Sequence, residues 1–359
     1  MPVILVAPAA FKGTYGPRQI ADSVAAGVRR ALPGARVLTC PVSDGGDGLL
    51  EAILPPGSLR ERVPVTGPLG DQVQAELGWI DGETAIFTSA SACGLALVPP
   101  DRRAPLRATS RGVGELIWEA ADRGARTVVV GLGGSATVDG GTGAGRGLGW
   151  SFTDAAGAEL PEGGGALGDL AAIGGGWRLD AQVVALADVT TPLTGPNGAA
   201  AMFGPQKGAT RAQVEQLAAG LGRLAEVLGH SGHPGLDHLP GGGAAGGLGA
   251  GLAAFARATL TPGAPWVLDR LGFDAALATV DLVITGEGEF DATSTAGKVT
   301  GEIVKRAQAA RRKVAVVAGK PSTVPDVLVV AGEGGMLTPA DVEGLGERAA
   351  REALRLPAS

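Results

Sequence analysis

In a chain of 359 residues, 61 are glycine and 24 are proline, a share close to that at which unpatterned Gly and Pro signal low complexity. Hydrophobic residues nevertheless make up 45% and charged residues only 18%, the reverse of a disordered composition, so the chain is globular with many bare backbone positions. The net charge of −6 offers no basic footprint for nucleic acid, and two cysteines, Cys40 and Cys93, cannot build a disulfide framework.

The opening run VILVAPA reads as a buried strand bounded by Pro and Gly. No basic region precedes it, so no secretory leader is expected. Pro17 to Leu32 follows with Ile20, Val24, Val28 and Leu32 at helical spacing, Pro17 suiting a first turn and Pro33-Gly34 ending the helix. The strand RVLTCPV then runs into DGGDG, a βαβ opening that implies a parallel sheet. After Pro55-Pro56 the pattern changes, and residues 61–90 read as three strands in an antiparallel meander with turns at PLGD and DG. A helix at Thr109–Asp122, the strand RTVVVGLGG, the strand QVVALAD and a helix at Arg211–Leu228 come next. The uncharged stretch 239–256 contains seven glycines and is a poor membrane span. The end returns to the opening pattern with DLVITGEGEFD, a helix at Ala296–Ala310, KVAVVAG and VLVVAGEGG.

These two patterns predict an α/β protein, with one doubly wound parallel-sheet domain, split in the chain, and a second α/β domain of mixed sheet inserted. The expected division is 1–60 plus 240–359 for the first and 61–239 for the second, with the later boundary open anywhere in 235–280. The glycines at 163–165 and 174–176 read only as flexible loops. With its cysteines acting as small apolar residues of a reducing compartment, the protein is expected in the cytoplasm, away from membranes. The sequence sets no oligomeric state.

Ligands of open parallel sheets bind beyond the carboxyl ends of the strands, where loops converge and helix N-termini point at them. Those ends here read APAAFKG, PVSDGGDG, GLGGSATVDGG, LADVTTPLTG and TGEGEFD. Glycine lets amides approach a phosphate, acids hold a metal or accept a proton, and lysine neutralises charge. A single such loop is as well explained as a strand-to-helix turn, but five together point to a site. The chain has only six lysines, and three of them, Lys12, Lys207 and Lys298, adjoin a glycine in a Gly-rich loop, which fits phosphate contact. All three histidines, His230, His233 and His238, fall in HSGHPGLDH, whose spacing matches no usual zinc pattern and reads as a solvated loop. No strand-end loop carries a histidine and no G-x-S-x-G is present, so carboxylates must do any acid–base work. Neither a P-loop nor a Rossmann fingerprint occurs in its proper place. GLGAGLAA at 247–254 faintly suggests a galactokinase-type glycine-rich loop, but close helix packing through small residues explains it better.

As a set, APAAFKG (7–13), PVSDGGDG (41–48), VTGPLGD (65–71), SACGLALVP (91–99), TSRGVGELI (109–117), GLGGSATVDGG (131–141), ADVTTPLTGPNGAAAMFGPQKGA (187–209), PGGGAAGGLGAGLAAF (240–255) and ITGEGEFDATSTAGKV (284–299) resemble the bacterial type-1 glycerate kinase family, in order along nearly the whole chain. The resemblance implies a flavodoxin-like domain with a second α/β domain inserted. It also implies ATP-dependent phosphorylation of D-glycerate, with Mg²⁺, to a phosphoglycerate, the 2-isomer being favoured. A non-catalytic or altered-specificity nucleotide- or sugar-acid-binding protein on the same scaffold is the alternative.

Under the resemblance, phosphoryl-transfer chemistry assigns roles by position and charge. Lys12 and Lys298 would face phosphate oxygens. Asp44 or Asp188 would accept the substrate hydroxyl proton, and Asp188 or Asp291 would hold Mg²⁺. Gly133, Gly134 and Ser135, with Gly286 and Glu287, would meet the nucleotide, and Arg111 would grip the glycerate carboxylate. Bland readings stand beside these: Asp139 and Asp188 as turn caps, Arg111 as a surface ion pair. Where the family usually has Asp-Ser before Phe-Lys-Gly, this chain has Ala9 and Ala10, and Glu289 stands where Arg is common.

Overall fold

A computed structural model describes residues 1–11, 15–290, 294, 298–320, 324–334 and 337–355; Lys12 and Asp291 lie outside the described residues. In chain order the strands are β1 (Val3–Pro8), β2 (Arg36–Thr39), β3 (Arg60–Thr66), β4 (Gln72–Trp79), β5 (Thr84–Thr88), β6 (Thr127–Leu132) and β7 (Trp150–Thr153). They continue with β8 (Ala172–Gly175), β9 (Gln182–Ala187), β10 (Thr259–Pro262), β11 (Leu282–Glu287), β12 (Lys313–Ala318) and β13 (Leu328–Ala331). The chain divides into two compact units, one of 1–55 with 262–359 and one of 56–261.

The first unit carries a five-stranded sheet in the order β13-β12-β11-β1-β2, its strands paired in parallel. That is the flavodoxin-like order. Both faces of a doubly wound sheet are covered, so its strands are apolar runs rather than alternations, which is how they stand in the sequence. On one face Ile4, Val6, Ile284 and Val317 pack with Ile20, Val24 and Val28 of the helix Pro17–Ala31 and with Val342 and Ala349 of the helix Pro339–Arg355. On the other, Leu5, Ala7 and Val283 meet Leu268, Phe273 and Ile303. The two helices of the first face cross very closely. A Cβ on Gly27 would sit 2.0 Å from the carbonyl of Glu343, and one on Gly346 would sit 2.6 Å from that of Val24.

The second unit has a mixed sheet, β10-β9-β6-β5-β4-β3. The meander read from residues 61–90 is present as antiparallel β3–β4 and β4–β5 pairs, with Val63 opposite Ala75 and Val65 opposite Val73. From β5 onward the sheet turns parallel through β6 and β9. A separate hairpin, β7–β8, was not legible in the sequence. The stretch 244–255 is helical in this unit apart from a left-handed break at Ala245–Gly247, and its glycines serve close packing: a Cβ on Gly251 would lie 2.5 Å from the Gly140 carbonyl. The glycines at 163–165 and 174–176 are corrected from loops to contact positions. Gly164 begins a 3-10 turn with its Cα against the carbonyl of Val138, and Gly174 and Gly175 lie in β8. Gly176, at φ +94, lies against the Trp150 indole. Among the described residues no helix is long and apolar enough to cross a membrane.

Candidate active site

In the first unit the chain runs outward from β1 to β2 and returns to place β11 on the other side of β1. This is a topological switch point, where the loops after β1 and β11 part and leave a crevice. A cavity of about 350 Å³ occupies that place, lined by Ala9, Ala10 and Phe11 after β1, Asp44 after β2, Glu287 to Glu289 at the end of β11, Gly319 and Lys320 after β12, and Lys298 to Thr300. Three of the expected site residues, Asp44, Glu287 and Lys298, therefore share one cavity.

Each is held there by local chemistry. Asp44 lies in the turn after β2, where Gly45 and Gly48 take positive φ and Asp44 Oδ1 accepts the Gly46 N–H at 3.1 Å. Its Oδ2 has no partner among the described residues. Gly263 fixes the backbone from behind, since a Cβ there would come 1.8 Å from the Asp44 carbonyl oxygen. Lys298 is the N-cap residue of the helix Val299–Ala309, and its Nζ donates to Glu287 Oε2 at 3.3 Å and Ser294 Oγ at 3.2 Å. The other Glu287 oxygen, Oε1, is buried with no hydrogen-bond partner. Burial pushes the Glu287 carboxyl above its ordinary range, with Lys298 pulling the other way.

Glu289 is matched by a lysine that the sequence did not single out. Lys320 Nζ lies 2.8 Å from Glu289 Oε2, both side chains being exposed on the cavity wall. The cavity thus holds two ammonium groups, each beside a glutamate. Ala9 and Ala10 supply apolar wall, with no polar side-chain atom.

In the second unit β6 and β9 are parallel neighbours with Leu132 opposite Ala187, so the expected residues Gly133 and Asp188 follow side by side at their carboxyl ends. Asp188 is half-buried there. The loop after β6 is clamped to residues 89–95: Gly133 N donates to Ser89 Oγ, Leu95 N to the Gly134 carbonyl at 2.7 Å, and Ala136 N to the Cys93 carbonyl at 2.8 Å. Gly134 takes φ +61 and is exposed. The N–H groups of Gly134 and Ser135 meet no acceptor among the described residues, which leaves two adjacent donors for an anion. The Ser135 side chain is buried and engaged with Lys207. Lys207, read from the sequence as phosphate-facing, is itself 2% exposed, so it lies beneath this loop rather than on it.

Arg111 opens the helix Arg111–Asp122. Its Nε and Nη2 both contact Glu162 Oε1, at 2.7 and 2.6 Å, which leaves Nη1 without a partner among the described residues. Gly286 is buried within β11 opposite Pro8, its carbonyl accepting the Ala9 N–H at 2.8 Å, and it does not line the cavity. Asp139 is fully buried and accepts four hydrogen bonds, which makes it a cap of its own loop and of the helix start at Ser110.

The donor set of the first unit's cavity suits a polyphosphate accompanied by a hard cation. It offers carboxylate oxygens, one of them orphaned by burial, and ammonium groups. Among the described residues no three metal-ligating side chains cluster. A Mg²⁺ ion here would rest on one or two carboxylates and on ligand phosphate oxygens, its usual habit.

Comparison with known proteins bears on the chain as a whole. A profile of the glycerate kinase family matches residues 4–351. A relative from Escherichia coli K12 named glycerate 2-kinase is 42% identical over 333 residues, covering 91% of this chain and 87% of the relative. A Bacillus subtilis strain 168 relative named glycerate kinase is 40% identical over 326 residues, covering 89% and 85%. A solved structure from Salmonella typhimurium LT2, described there as a candidate glycerate kinase 2, superposes with a TM-score of 0.82 at 39% identity over 99% of this chain and 98% of its own.

Proposed function

The chain belongs to the glycerate kinase family, and from that membership we propose that it transfers the γ-phosphoryl group of ATP to the C2 hydroxyl of D-glycerate, in the cytoplasm, with Mg²⁺. The observation that carries the reading is the cavity at the β1/β11 switch point, where Asp44, Glu287, Lys298 and Lys320 converge. The choice of C2 rests on the name of the E. coli relative.

Asp44 is the general base. Its free Oδ2 takes the proton of the attacking hydroxyl while that oxygen bonds to the γ-phosphorus and the bond to the ADP oxygen breaks. Lys298 and Lys12 neutralise the equatorial phosphate oxygens, and Lys320 adds a third positive charge at the rim. The amides of Gly134 and Ser135, in the loop opened by Gly133, bind an anionic oxygen, with Glu287 anchoring Lys298 and Gly286 setting the strand end. Arg111 Nη1 binds the glycerate carboxylate while Glu162 holds the rest of the guanidinium in plane. Asp188 or Asp291 would hold the Mg²⁺, which when bound would neutralise charge on the phosphates. With Ala9 and Ala10 apolar, neither of these side chains after β1 competes for that ion.

The test is ADP release from the full chain with ATP, Mg²⁺ and D-glycerate. Release that requires all three supports the proposal. Binding of ATP and glycerate without release would instead favour a binding protein on the same scaffold.

A further inference from the structure

Lys207 ends the 3-10 turn Pro205–Lys207 and is among the most buried charged residues of the second unit. Its Nζ donates to Ser135 Oγ at 3.0 Å and to the Thr137 carbonyl at 2.6 Å. No carboxylate stands within ion-pair distance of it among the described residues. The groups that draw its pKa upward are Cys93 and Asp139, and both Asp139 oxygens are already occupied by Ser110, Gly141 and Gly143 donors. An ammonium buried without an adjacent counter-charge is costly and is expected to be neutralised or used.

The surroundings are built to keep it there. A Cβ on Gly246 would lie 3.0 Å from Nζ and 1.9 Å from the Thr137 carbonyl. Ala245, Gly246 and Gly247 all take positive φ, at 53°, 76° and 92°, and a left-handed alanine is a strained position held by its context. The Thr137 hydroxyl, at 3.4 Å, donates to the Ala245 carbonyl. The loop Lys207 grips is the one whose Gly134 and Ser135 amides have no acceptor among the described residues. Because Ser135 Oγ accepts from Lys207, its own O–H is turned away from the ammonium and is available to donate elsewhere.

We propose that Lys207 is the buried counter-charge of an oxyanion site formed by the Gly134 and Ser135 amides and the Ser135 hydroxyl, which takes a phosphate or carboxylate oxygen of a substrate. This rests on the kinase reading for the identity of the anion, and it makes Lys207 a positioning residue that acts through Ser135. Burial holds the Lys207 ammonium down, at about 8, with Cys93 and Asp139 pulling upward. An anion at the loop raises it again, so binding takes up a proton at alkaline pH.

The experiment is calorimetric titration of the full chain with ATP and, separately, with D-glycerate, in two buffers of different ionisation enthalpy at about pH 8.5. The expected result is proton uptake with one of the two anions, which identifies it as the occupant. Lys207→Met should bind that anion about tenfold or more weakly, with no proton uptake. Lys207→Arg should recover affinity without uptake, because arginine stays charged. Uptake in neither arm, unchanged affinity in Lys207→Met, or binding of neither anion overturns the proposal. Should Lys207→Met fail to fold, the unmodified chain decides alone: uptake that rises from neutral pH to about pH 8–9 supports the assignment and its absence sinks it. Normal proton-linked binding without ADP release would count against the transfer reaction only.

Discussion

One oxygen of Asp139, Oδ2, receives both the backbone N–H and the hydroxyl of Ser110, each at 2.8 Å. A loop that follows β6 is thereby tied to the first turn of the helix that carries Arg111, and Gly141 and Gly143 complete the acid's four partners. Replacing Asp139 by Asn turns an N–H toward a backbone N–H and leaves a buried donor unpaired. That should cost about 2 kcal/mol, read as a fall in urea midpoint with an unchanged slope. A cost below about 0.5 kcal/mol would mean the network is not stabilising.

Lys207 should leave a signature in the pH dependence of stability. Its folded value, near 8, lies below the ordinary value of 10.5, so between those two pH values the unfolded chain binds more protons than the folded one. By linkage the unfolding free energy contributed by this group rises across that window and is flat below and above it. The difference in stability between the unmodified chain and Lys207→Met should therefore shift in favour of the unmodified chain as pH climbs from about 8 to 10. Parallel curves for the two proteins would contradict the buried ammonium.

Glu287 combines an orphaned buried oxygen with a position on the cavity wall. Glu287→Gln removes a poorly solvated charge, so melting temperature should rise by a few degrees, on the order of 1 kcal/mol. Turnover should fall, because Lys298 loses its anchor. Thermal unfolding and steady-state kinetics on the same preparation check both, and a variant that is less stable and fully active would refute the assignment.

Gly263 is assigned no ligand contact, yet its Cα lies hard against the Asp44 carbonyl. Gly263→Ala would place a methyl 1.8 Å from that oxygen, and one chain segment must move. The variant should lose roughly 1–3 kcal/mol of stability and, because the base is displaced, show a lower kcat with KM for ATP little changed. Full kcat in a folded Gly263→Ala protein would show that the position of Asp44 is not critical.

Much of the fold was legible because its strands are fully covered. VILVAP, TVVVGL, LVITGE and KVAVVA are apolar runs with Gly or Pro at or near their ends, QVVALA is an apolar run closed by Asp188, and each is a central or near-central parallel strand. The meander was legible through its alternation and turn residues. The helix Pro339–Arg355 was not, because its buried face is partly Gly346, Ala349, Ala350 and Ala353, a stripe of low contrast that depends on the glycines crossing at 27 and 346. The β7–β8 hairpin was hidden for a related reason: Gly176 looks like loop until Trp150 is found against it.

For the candidate site, Asp44, Glu287 and Lys298 could be picked out because strand-end loops concentrate chemistry. Lys207 and Gly286 could not be separated from them, because a lysine or glycine beside other glycines reads the same whether it faces a ligand or a carbonyl in the core. Lys320 follows Gly319 just after β12 but stands in no Gly-rich loop, so the signal that marks the other lysines passes over it. Its partner Glu289 is 31 residues away in the chain, and only the sheet order brings the two together.

The central claim is transfer of phosphate to one hydroxyl of glycerate. Its most direct test is ³¹P and ¹H NMR of the product formed from D-glycerate, ATP and Mg²⁺ by the full chain. The expected product is a single new phosphomonoester coupled to the C2 methine proton, formed in step with ADP and lost in Asp44→Asn. A phosphomonoester coupled to the C3 methylene would contradict the assigned position, and ATP hydrolysis to free phosphate with glycerate unchanged would contradict the transfer itself.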